Sequence, residues 1–338
     1  MRMRILFGAV LLLALAVSGA TAGNPDRKGT AGAQELLIPN SARGLALGGG
    51  MVADPGGVEM LYYNPAAIAG VRNVEAYFTN LSYLADTDKN YVAVAARTGF
   101  GTISISADVF SLGDIMETTE ESPEGTGRTI SPNFSVLGLS YGRFLTDVVT
   151  VGGTVKLINE SILQAHATGV CFDAGIQYRP GPEGIWAGLV LKNFGPNMQF
   201  RGSDFESFHR TSDNPQANDR SLATQSASFE LPSYFEIGAR YSASFGETST
   251  IAGFGSFQSN NFSNDAFNLG AEFGYRQIAF LRAGGVLTDN KDYIFGPAFG
   301  VGFSVPIGGE SRIVADYTLR MVDDFFDDNQ MFALKFVF

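Results

Sequence analysis

Long runs of this sequence alternate, residue by residue, between apolar side chains and small or polar ones. The pattern is clear in four segments, which are Gly101–Val109, Val170–Arg179, Phe267–Arg276 and Arg312–Met321. A period of two residues is typical of a β-strand with two different faces. A soluble sandwich also alternates, but these runs reach the ~9–11 residues of a tilted membrane strand, against ~5–6 in soluble sheets. The alternation therefore favours a transmembrane β-barrel.

Fourteen segments fit this pattern, and their connections alternate in character. The segments lie near residues 73–83, 90–98, 101–111, 133–144, 147–158, 168–179, 184–194, 231–243, 248–258, 265–275, 277–287, 293–304, 311–321 and 330–338. Connections after odd-numbered segments include long polar loops, whereas those after even-numbered segments are short and rich in Gly and Pro. Outer-membrane barrels show this asymmetry, with long outside loops and short periplasmic turns. We therefore expect an all-β fold, an antiparallel barrel of about 14 strands with both ends in the periplasm.

The first 22 residues have the three parts of a secretory signal peptide. Arg2 and Arg4 precede the apolar run Ile5–Val17, and Ala20–Ala22 has the small-x-small pattern of a cleavage site. An uncleaved anchor is the alternative, but the apolar run is shorter than the roughly 20 residues of a spanning helix. No Cys follows Ala22, which excludes a lipid anchor there. We expect cleavage after Ala22 and three regions, namely the signal peptide (1–22), an N-terminal segment with a hatch (23–72) and the barrel (73–338).

The chain ends in a strand whose large apolar residues share one face. Phe332, Leu334, Phe336 and Phe338 occupy alternate positions up to the last residue. Such a strand resembles the signal that the outer-membrane barrel assembly machinery recognises, and its apolar face would promote aggregation in water. Together with the signal peptide, Phe336 and Phe338 predict a location in the bacterial outer membrane. The expected partners are outer-membrane lipid and the assembly machinery.

Charge and composition exclude several classes of function. The net charge is −11 and Lys and Arg form no cluster, which excludes nucleic acid as a partner. The single Cys171 excludes an intramolecular disulfide, and His166 and His209 lie outside any catalytic or metal-ligating spacing. We interpret the acidic run Asp323–Asp328 as a hydrated loop tip, since it lacks the turn glycine of a calcium loop. We therefore expect no enzyme activity, no cofactor and no metal site.

Residues Gln34–Val71, just before the first strand, do not alternate. Gly and Pro interrupt this segment, which contains Asn64-Pro65-Ala66. Pro65 fixes its own φ and biases Asn64 away from helix, so a short helix can begin at Ala66; an ordinary turn is the alternative. A barrel of this strand number is wider than its own side chains fill. We expect the segment to begin on the periplasmic side and to plug the lumen, with Asn64, Pro65 and Ala66 as hatch or gate.

The same segment resembles the N-terminal hatch of the FadL-type transporter superfamily and, within it, the PorV/PorQ family. The stretches that carry the resemblance are Leu36–Ile38, Ser41–Gly44, Leu47–Gly49, Leu61–Ala66, Ser111–Ile115, Leu139–Gly142, Gly152–Lys156 and Phe172–Gly175. It covers most of residues 34–180 and departs at Tyr63, where a Trp often precedes Asn-Pro-Ala, and at Gly56-Gly57, which replaces a more acidic stretch. The resemblance implies a 14-stranded barrel with an N-terminal plug. FadL-type members import hydrophobic molecules, whereas PorV-like members serve type IX secretion and pass exported proteins to a surface-attachment complex.

Two groups of side chains are candidates for functional sites. The alternation turns charged residues of both signs toward the lumen, where they need partners away from bulk water. This lumen-facing set contains Asp173, Arg179, Glu272, Arg276, Arg312, Asp316 and Arg320. In the long loop Asn193–Glu230, a second set is a candidate for a hydrophobic groove, with simple loop packing as the alternative. That set contains Phe194, Phe200, Phe205 and Phe208.

Two functions remain open at this level. The first is uptake or handling of a hydrophobic small molecule through the plugged lumen. The second, implied only by the PorV-like resemblance, is a role in type IX secretion with an exported protein as the partner. The sequence does not separate the two.

Overall fold

A computed structural model describes residues 23–181, 183–209, 220–246, 248–323 and 325–338, with the backbone alone at 207–209 and 220–221. The signal peptide expected at 1–22 lies outside the described residues. Within them, fourteen long strands form the wall of the molecule. They are β1 (Val74–Ser82), β2 (Asp88–Thr98), β3 (Gly101–Ser111), β4 (Asn133–Phe144), β5 (Val149–Ile162), β6 (Ala165–Tyr178), β7 (Gly184–Phe194), β8 (Tyr234–Phe245), β9 (Ser249–Asn260), β10 (Ala266–Tyr275), β11 (Ala279–Thr288), β12 (Phe295–Gly308), β13 (Ser311–Val322) and β14 (Asn329–Val337). Each strand overlaps one of the segments that the alternation predicts.

The strands follow one another around a closed antiparallel sheet. Each pairs with the next along the chain, and β1 pairs with β14 from Glu75↔Val337 to Ser82↔Gln330. Because the first and last strands pair, the ring has no free edge strand. The predicted all-β barrel of fourteen strands is therefore confirmed.

The two faces of the wall differ in side-chain character. In β6, the outward Phe172 and Ile176 are 48% and 40% exposed, whereas the inward Asp173 and Gln177 are buried. Exposed Leu, Ile, Val, Phe or Tyr side chains also occupy the outer face of the other strands. Such a continuous apolar belt would aggregate in water, and a hydrocarbon environment removes that cost. A closed barrel with an outward apolar belt is the form in which strands span a bilayer.

Connections of different length separate the two ends of the barrel. At the turn end, residues 99–100, 145–148, 179–183, 246–248, 276–278 and 309–310 join the strands. At the loop end, the connections 112–132 and 195–233 are long, and they carry the short paired strands Ile115–Met116 with Thr129–Ile130, Met198–Gln199 with Ser228–Phe229, and Glu206–His209 with Arg220–Ala223. Arg201–Gly202 adds to the edge of β6, and 3₁₀ turns cover Leu84–Asp86 and Ser203–Phe205. The chain enters the wall at β1 and leaves it after β14 at the turn end, as the loop pattern predicts.

The hatch, defined here as residues 34–71, fills the lumen with short helical pieces. They are the 3₁₀ turns Gln34–Leu37, Gly57–Met60 and Pro65–Gly70 and the helix α1 (Ala42–Ala46). Ser41 caps α1 by accepting a hydrogen bond from the Gly44 N–H at 3.1 Å. Apolar hatch residues pack directly on inward wall residues in a buried cluster that contains Leu45, Leu61, Ile68, Tyr77, Leu81 and Tyr91.

The expectation that this segment begins on the periplasmic side is wrong. Residues before the hatch, including the 3₁₀ turn Pro25–Arg27, lie at the loop end, where the Asn24 N–H donates to the Asn260 carbonyl at 3.2 Å and Ala31 pairs with Glu230. The chain therefore descends through the lumen from the loop end to the turn end before β1 begins. Within the described residues, no helix is long and apolar enough to cross a membrane.

Candidate ligand cavity

Asn64 fixes the bottom of the hatch against the wall. Its side-chain oxygen accepts from the Ala66 N–H at 3.0 Å and caps the turn that Pro65 opens. Its amide nitrogen lies 2.8 Å from the Val52 carbonyl of the hatch, and 3.3 and 3.4 Å from carbonyls of β6 and β7. Gly175 of β6 makes this approach feasible, because a Cβ there would collide with the Asn64 side chain. Asn64 therefore contacts backbone carbonyls of both the hatch and the wall.

A buried cluster of charges joins the middle of the hatch to the wall. The Arg43 guanidinium lies 3.0 Å from Asp54 and 3.3 Å from Glu59, both in the hatch, and 2.8 Å from Glu272 of β10. Glu272 also pairs with Arg282 of β11 at 2.7 Å. Because these groups are buried, each depends on its partners rather than on water for solvation.

Lysines from the wall bind the hatch at three further points. Lys89 of β2 donates to the Glu35 and Ile38 carbonyls at 2.9 and 2.6 Å. Lys335 of β14 lies 3.0 Å from the Glu59 carboxylate, and Lys192 of β7 donates to the Tyr62 carbonyl. The hatch is thus tied to strands on opposite sides of the barrel, which holds it as a plug.

Above the hatch, at the loop end, lies a cavity of about 840 Å³. The hatch, the wall and the loop-end connections contribute aromatic rings to its lining, namely Tyr62, Tyr63, Tyr83, Phe110, Phe134, Phe200, Phe229, Tyr234, Tyr293 and Phe295. Sites for small molecules typically have this character, with volumes of roughly 300–1,000 Å³, apolar walls and a few polar groups. The cavity is therefore the candidate binding site.

Arg320 of β13 is the main cationic group in the cavity lining. It is 9% exposed, and its guanidinium lies 3.7 Å from the centre of the Phe295 ring. Its Nε and Nη2 atoms find no hydrogen-bond partner among the described residues. A buried guanidinium with free donors can bind an acceptor group of a ligand.

Two carboxyl groups meet at another side of the cavity. Glu35 of the hatch lies beside Glu160 of β5, and no hydrogen-bond donor among the described residues reaches the Glu35 oxygens. Burial, and after it the neighbouring Glu160 carboxylate, raises the pKa of Glu35 to about 8. At neutral pH the pair can therefore hold one proton between its two carboxyl groups and carry a single negative charge.

The lumen-facing set includes three buried members besides Arg320. Asp173 lies 2.6 Å from Lys156, Asp316 lies 2.5 Å from Arg282, and Glu272 binds Arg43 as described above. Arg179 follows β6, half-buried, with its guanidinium 5.2 Å from the centre of the Phe144 ring.

Arg276 and Arg312 differ from the rest of the predicted lumen-facing set because both side chains are exposed. Arg276 is exposed in a turn, with φ of +53°, because β10 ends one residue earlier. Arg312 shares the inward face of β13 but is exposed, because it lies at the turn end where the strand has only just begun. Neither side chain belongs to the buried lumen.

The three loop phenylalanines whose side chains the structure describes do not come together as one groove. Phe194 is 64% exposed, whereas Phe200 packs on Phe229 at 5.7 Å between ring centres and lines the cavity. Phe205 is half-buried in a separate 3₁₀ turn, and the side chain of Phe208 lies outside the described residues. Of these three, Phe200 is the one that lines the candidate site.

Several functional residues were missed at the sequence level. Lys89, Lys192 and Arg240 all point into the lumen, and Arg240 lies 3.1 Å from Asp54. Strand parity alone could have placed Lys192, which is two residues from the buried Val190 of β7. Their hatch partners could not be found that way, since the hatch has no period.

No model of a known protein family matches the sequence, and no curated protein matches it. Solved structures do match the fold. The monoaromatic hydrocarbon channel CymD aligns with a TM-score of 0.57 at 13% identity, over 89% of this chain and 98% of that one. The Pseudomonas putida toluene transporter TodX aligns with a TM-score of 0.54 at 13% identity, over 88% and 96% of the two chains. A FadL homologue of Pseudomonas aeruginosa aligns at 0.53 and 11% identity, over 89% and 98%. The chain therefore has the fold of FadL-type barrels.

Proposed function

We propose that this protein is an outer-membrane channel that takes up a hydrophobic small molecule through its plugged lumen. The observation that carries the proposal is the aromatic cavity at the loop end, which the hatch closes from below. The apolar outer belt suits a membrane location, and the short connections suit a periplasmic turn end. The loop end with its cavity then faces the outside of the cell, where a ligand would arrive.

The cavity lining indicates the kind of ligand. Aromatic rings bury large apolar area and add about 0.5–1.5 kcal/mol for a well-placed ring pair. An aromatic or similarly compact apolar molecule is therefore the best match, with Arg320 available to any acceptor group that it carries. The names of CymD and TodX, which refer to monoaromatic hydrocarbons and toluene, make toluene the first probe to use.

A substitution that fills the cavity tests the proposal. Ala266 lines the cavity at the start of β10, whereas Ala271 of the same strand is exposed on the outer face. Ala266→Phe should slow the entry of radiolabelled toluene into cells that carry the folded barrel, because the new ring occupies the binding volume. Ala271→Phe, the matched control, should leave entry unchanged.

Two results would count against uptake of this kind. One is a wild-type protein that admits toluene no faster than the host without it. The other is an Ala266→Phe variant that folds, as heat-modifiable migration shows, and admits toluene at the wild-type rate.

We infer a second candidate, a PorV-like role in type IX secretion, from the resemblance of residues 34–180 alone. In that role the long loop 195–233 would hold an exported protein at the outer surface. Co-purification with a cargo protein that ends in a type IX signal domain, compared with the same cargo lacking that domain, tests it. Retention that does not depend on the signal domain would remove this candidate.

A further inference from the structure

One carboxyl group in the cavity lining has no hydrogen-bond partner among the described residues. Glu35 of the hatch is 3% exposed, and neither of its carboxyl oxygens meets a donor there. It lines the cavity beside Glu160 of β5, which is 4% exposed. Burial removes the water that would otherwise donate to these oxygens, which is costly for an acidic group. The Glu35 oxygens therefore mark a place where a ligand with N–H donors is stabilised.

The cation beside this pair has already used its donors. Lys89 of β2 donates to the Glu35 and Ile38 backbone carbonyls at 2.9 and 2.6 Å, and its Nζ lies 3.0 Å from the Asp108 carboxylate. A lysine ammonium group has three N–H donors, so these contacts account for all of them. Lys89 therefore has no donor left for the Glu35 carboxyl group, and the pair keeps its negative charge.

Another carboxyl group of the cavity, Glu236 of β8, shows the contrast. It accepts hydrogen bonds from the Ser256 hydroxyl at 2.5 Å and from the Asn268 amide at 3.4 Å, which are donors of the kind that Glu35 lacks. The described lining residues include three Glu side chains and one basic side chain, Arg320, at a different side of the cavity. The balance of charge in the lining therefore favours a cationic ligand.

Aromatic rings lie next to the carboxyl pair. Ala33 and Leu36, which flank Glu35 in the sequence, belong to a buried cluster against which Phe200 and Phe229 pack. These two rings are 5.7 Å apart between their centres, and both line the cavity. The face of an aromatic ring attracts a cation, and its area buries the apolar part of a ligand. The site therefore combines free acceptors with an apolar surface.

An organic cation fits this place better than a metal ion. Ca²⁺ takes about 6–8 oxygen ligands, and in the part of the chain that the structure describes, no group of three or more Asp, Glu, His or Cys side chains could hold a metal. An ammonium group needs only acceptors for its three N–H donors, and two carboxyl groups supply them.

Loops at the same end of the barrel carry negative charge. The connection 112–132 contains five acidic residues and one Arg, and the connection 323–328 contains four Asp and no Lys or Arg. A surface with one sign of charge raises the local concentration of solutes with the opposite charge and speeds their arrival. These loops therefore favour cations among the solutes that reach the cavity.

We propose that Glu35 and Glu160 form a subsite for the ammonium group of an aromatic amine, whose ring lies against the aromatic lining of the cavity. This inference rests on the proposed uptake function and names a class of ligand for it. The ammonium group donates to the free Glu35 oxygens and to Glu160, and its charge balances the single negative charge of the pair. A neutral ligand of the same shape leaves that charge uncompensated.

Three probes of similar shape test the subsite. Phenethylamine is a cation near neutral pH, phenethyl alcohol is neutral, and hydrocinnamate is an anion. Their binding to the full mature barrel in lipid nanodiscs is measured by scintillation proximity with tritiated probes, and empty nanodiscs serve as the blank. The wild type should bind phenethylamine at least roughly tenfold more tightly than phenethyl alcohol, which is the effect of a hydrogen bond to a charged group.

Glu35→Gln keeps the shape of the side chain and removes its charge. It should weaken phenethylamine binding roughly 10- to 100-fold and leave the binding of phenethyl alcohol unchanged. The second readout separates loss of the subsite from a loosened hatch, which would weaken the binding of both probes. Glu75→Gln is the matched control, because Glu75 also binds the hatch, at 2.9 Å from the Val58 nitrogen, but does not line the cavity. This control should keep the preference for the amine.

Four results would count against the subsite or the function beneath it. A wild type that binds phenethylamine no better than phenethyl alcohol, or binds neither, would overturn the subsite, while entry of toluene would still support uptake. Failure of toluene entry as well would overturn the uptake function itself. Tighter binding of hydrocinnamate than of phenethylamine would place the polar group of the ligand at Arg320 instead. A preference for the amine that persists in folded Glu35→Gln would refute the assignment, and if that variant fails to fold, Glu160→Gln decides in the same way.

Discussion

Replacing Arg43 by Met should loosen the hatch while the wall stays folded. Arg43 is the cation that three buried carboxylates share, at 3.0 Å from Asp54, 3.3 Å from Glu59 and 2.8 Å from Glu272. Met keeps much of the side-chain volume but removes the charge. The strand ladders contain none of these contacts, so the change acts on docking of the hatch.

The size of the effect follows from what remains around the three carboxylates. Removing one partner of a buried ion pair typically costs about 3–5 kcal/mol. Each acid keeps another cation, namely Arg240 for Asp54, Lys335 for Glu59 and Arg282 for Glu272. We therefore expect Arg43→Met to cost about 3 kcal/mol of docking free energy, the low end of that range. This cost lowers the ratio of docked to undocked hatch roughly 100-fold.

Planar-bilayer conductance and limited trypsin digestion measure this change. Arg43→Met should open more often than wild type and be cut sooner within residues 34–71, and a variant lacking residues 34–66 marks the fully open state. Arg72→Met is the control, because Arg72 and Glu310 form an exposed pair at 3.8 Å, a kind worth about 0–1 kcal/mol. If Arg43→Met conducts and resists trypsin as the Arg72 variant does, the charge cluster does not hold the hatch.

Three further outcomes are expected. The pKa of Glu35 rises from 4.5 to about 8 in the docked hatch, so docking should be firmest below about pH 4.5 and weaken as the pH rises toward 8. In the wild type, hydrogen exchange of residues 33–40, corrected for its intrinsic rate, should become faster over this pH range. In Glu35→Gln the corrected exchange rate should not depend on pH. Asn64→Ala should speed exchange of residues 65–70, since loss of a helix cap alone costs about 1 kcal/mol, and unchanged protection would show that Asn64 does not hold the turn. Deleting Phe338, whose N–H donates to the Val74 carbonyl at 2.9 Å, should lower the yield of heat-modifiable barrel, whereas a normal yield with impaired uptake would contradict an assembly role.

The wall could be predicted from the sequence because the membrane imposes a simple rule on it. Outward positions must be apolar and inward ones need not be. Apolar and polar side chains therefore alternate along whole strands such as β6 and β10. The same alternation correctly predicted that Asp173, Glu272 and Asp316 lie on the inward face. It gave no information on where a strand ends, which is why Arg276 was assigned to the lumen although it lies in the turn after Tyr275.

The hatch and the cavity depend on contacts that parity does not encode. The loop-end position of the first described residues rests on pairs such as Arg27 with Glu230, more than 200 residues apart in sequence. The cavity likewise combines Tyr62 of the hatch with Tyr234 and Phe295 of distant strands. Each of these residues has an ordinary local sequence, and only the closed barrel brings them together.

The closure of β1 on β14 constrains the order in which the protein can be assembled. The chain runs down the full depth of the lumen, from Asn24 beside Asn260 at the loop end to Val74 at the turn end, before the wall begins. Threading this segment upward through a finished ring would force its charged residues past the tyrosines and arginines that line the lumen. We therefore expect the hatch to pack while the ring is still open, before the last of its seams forms.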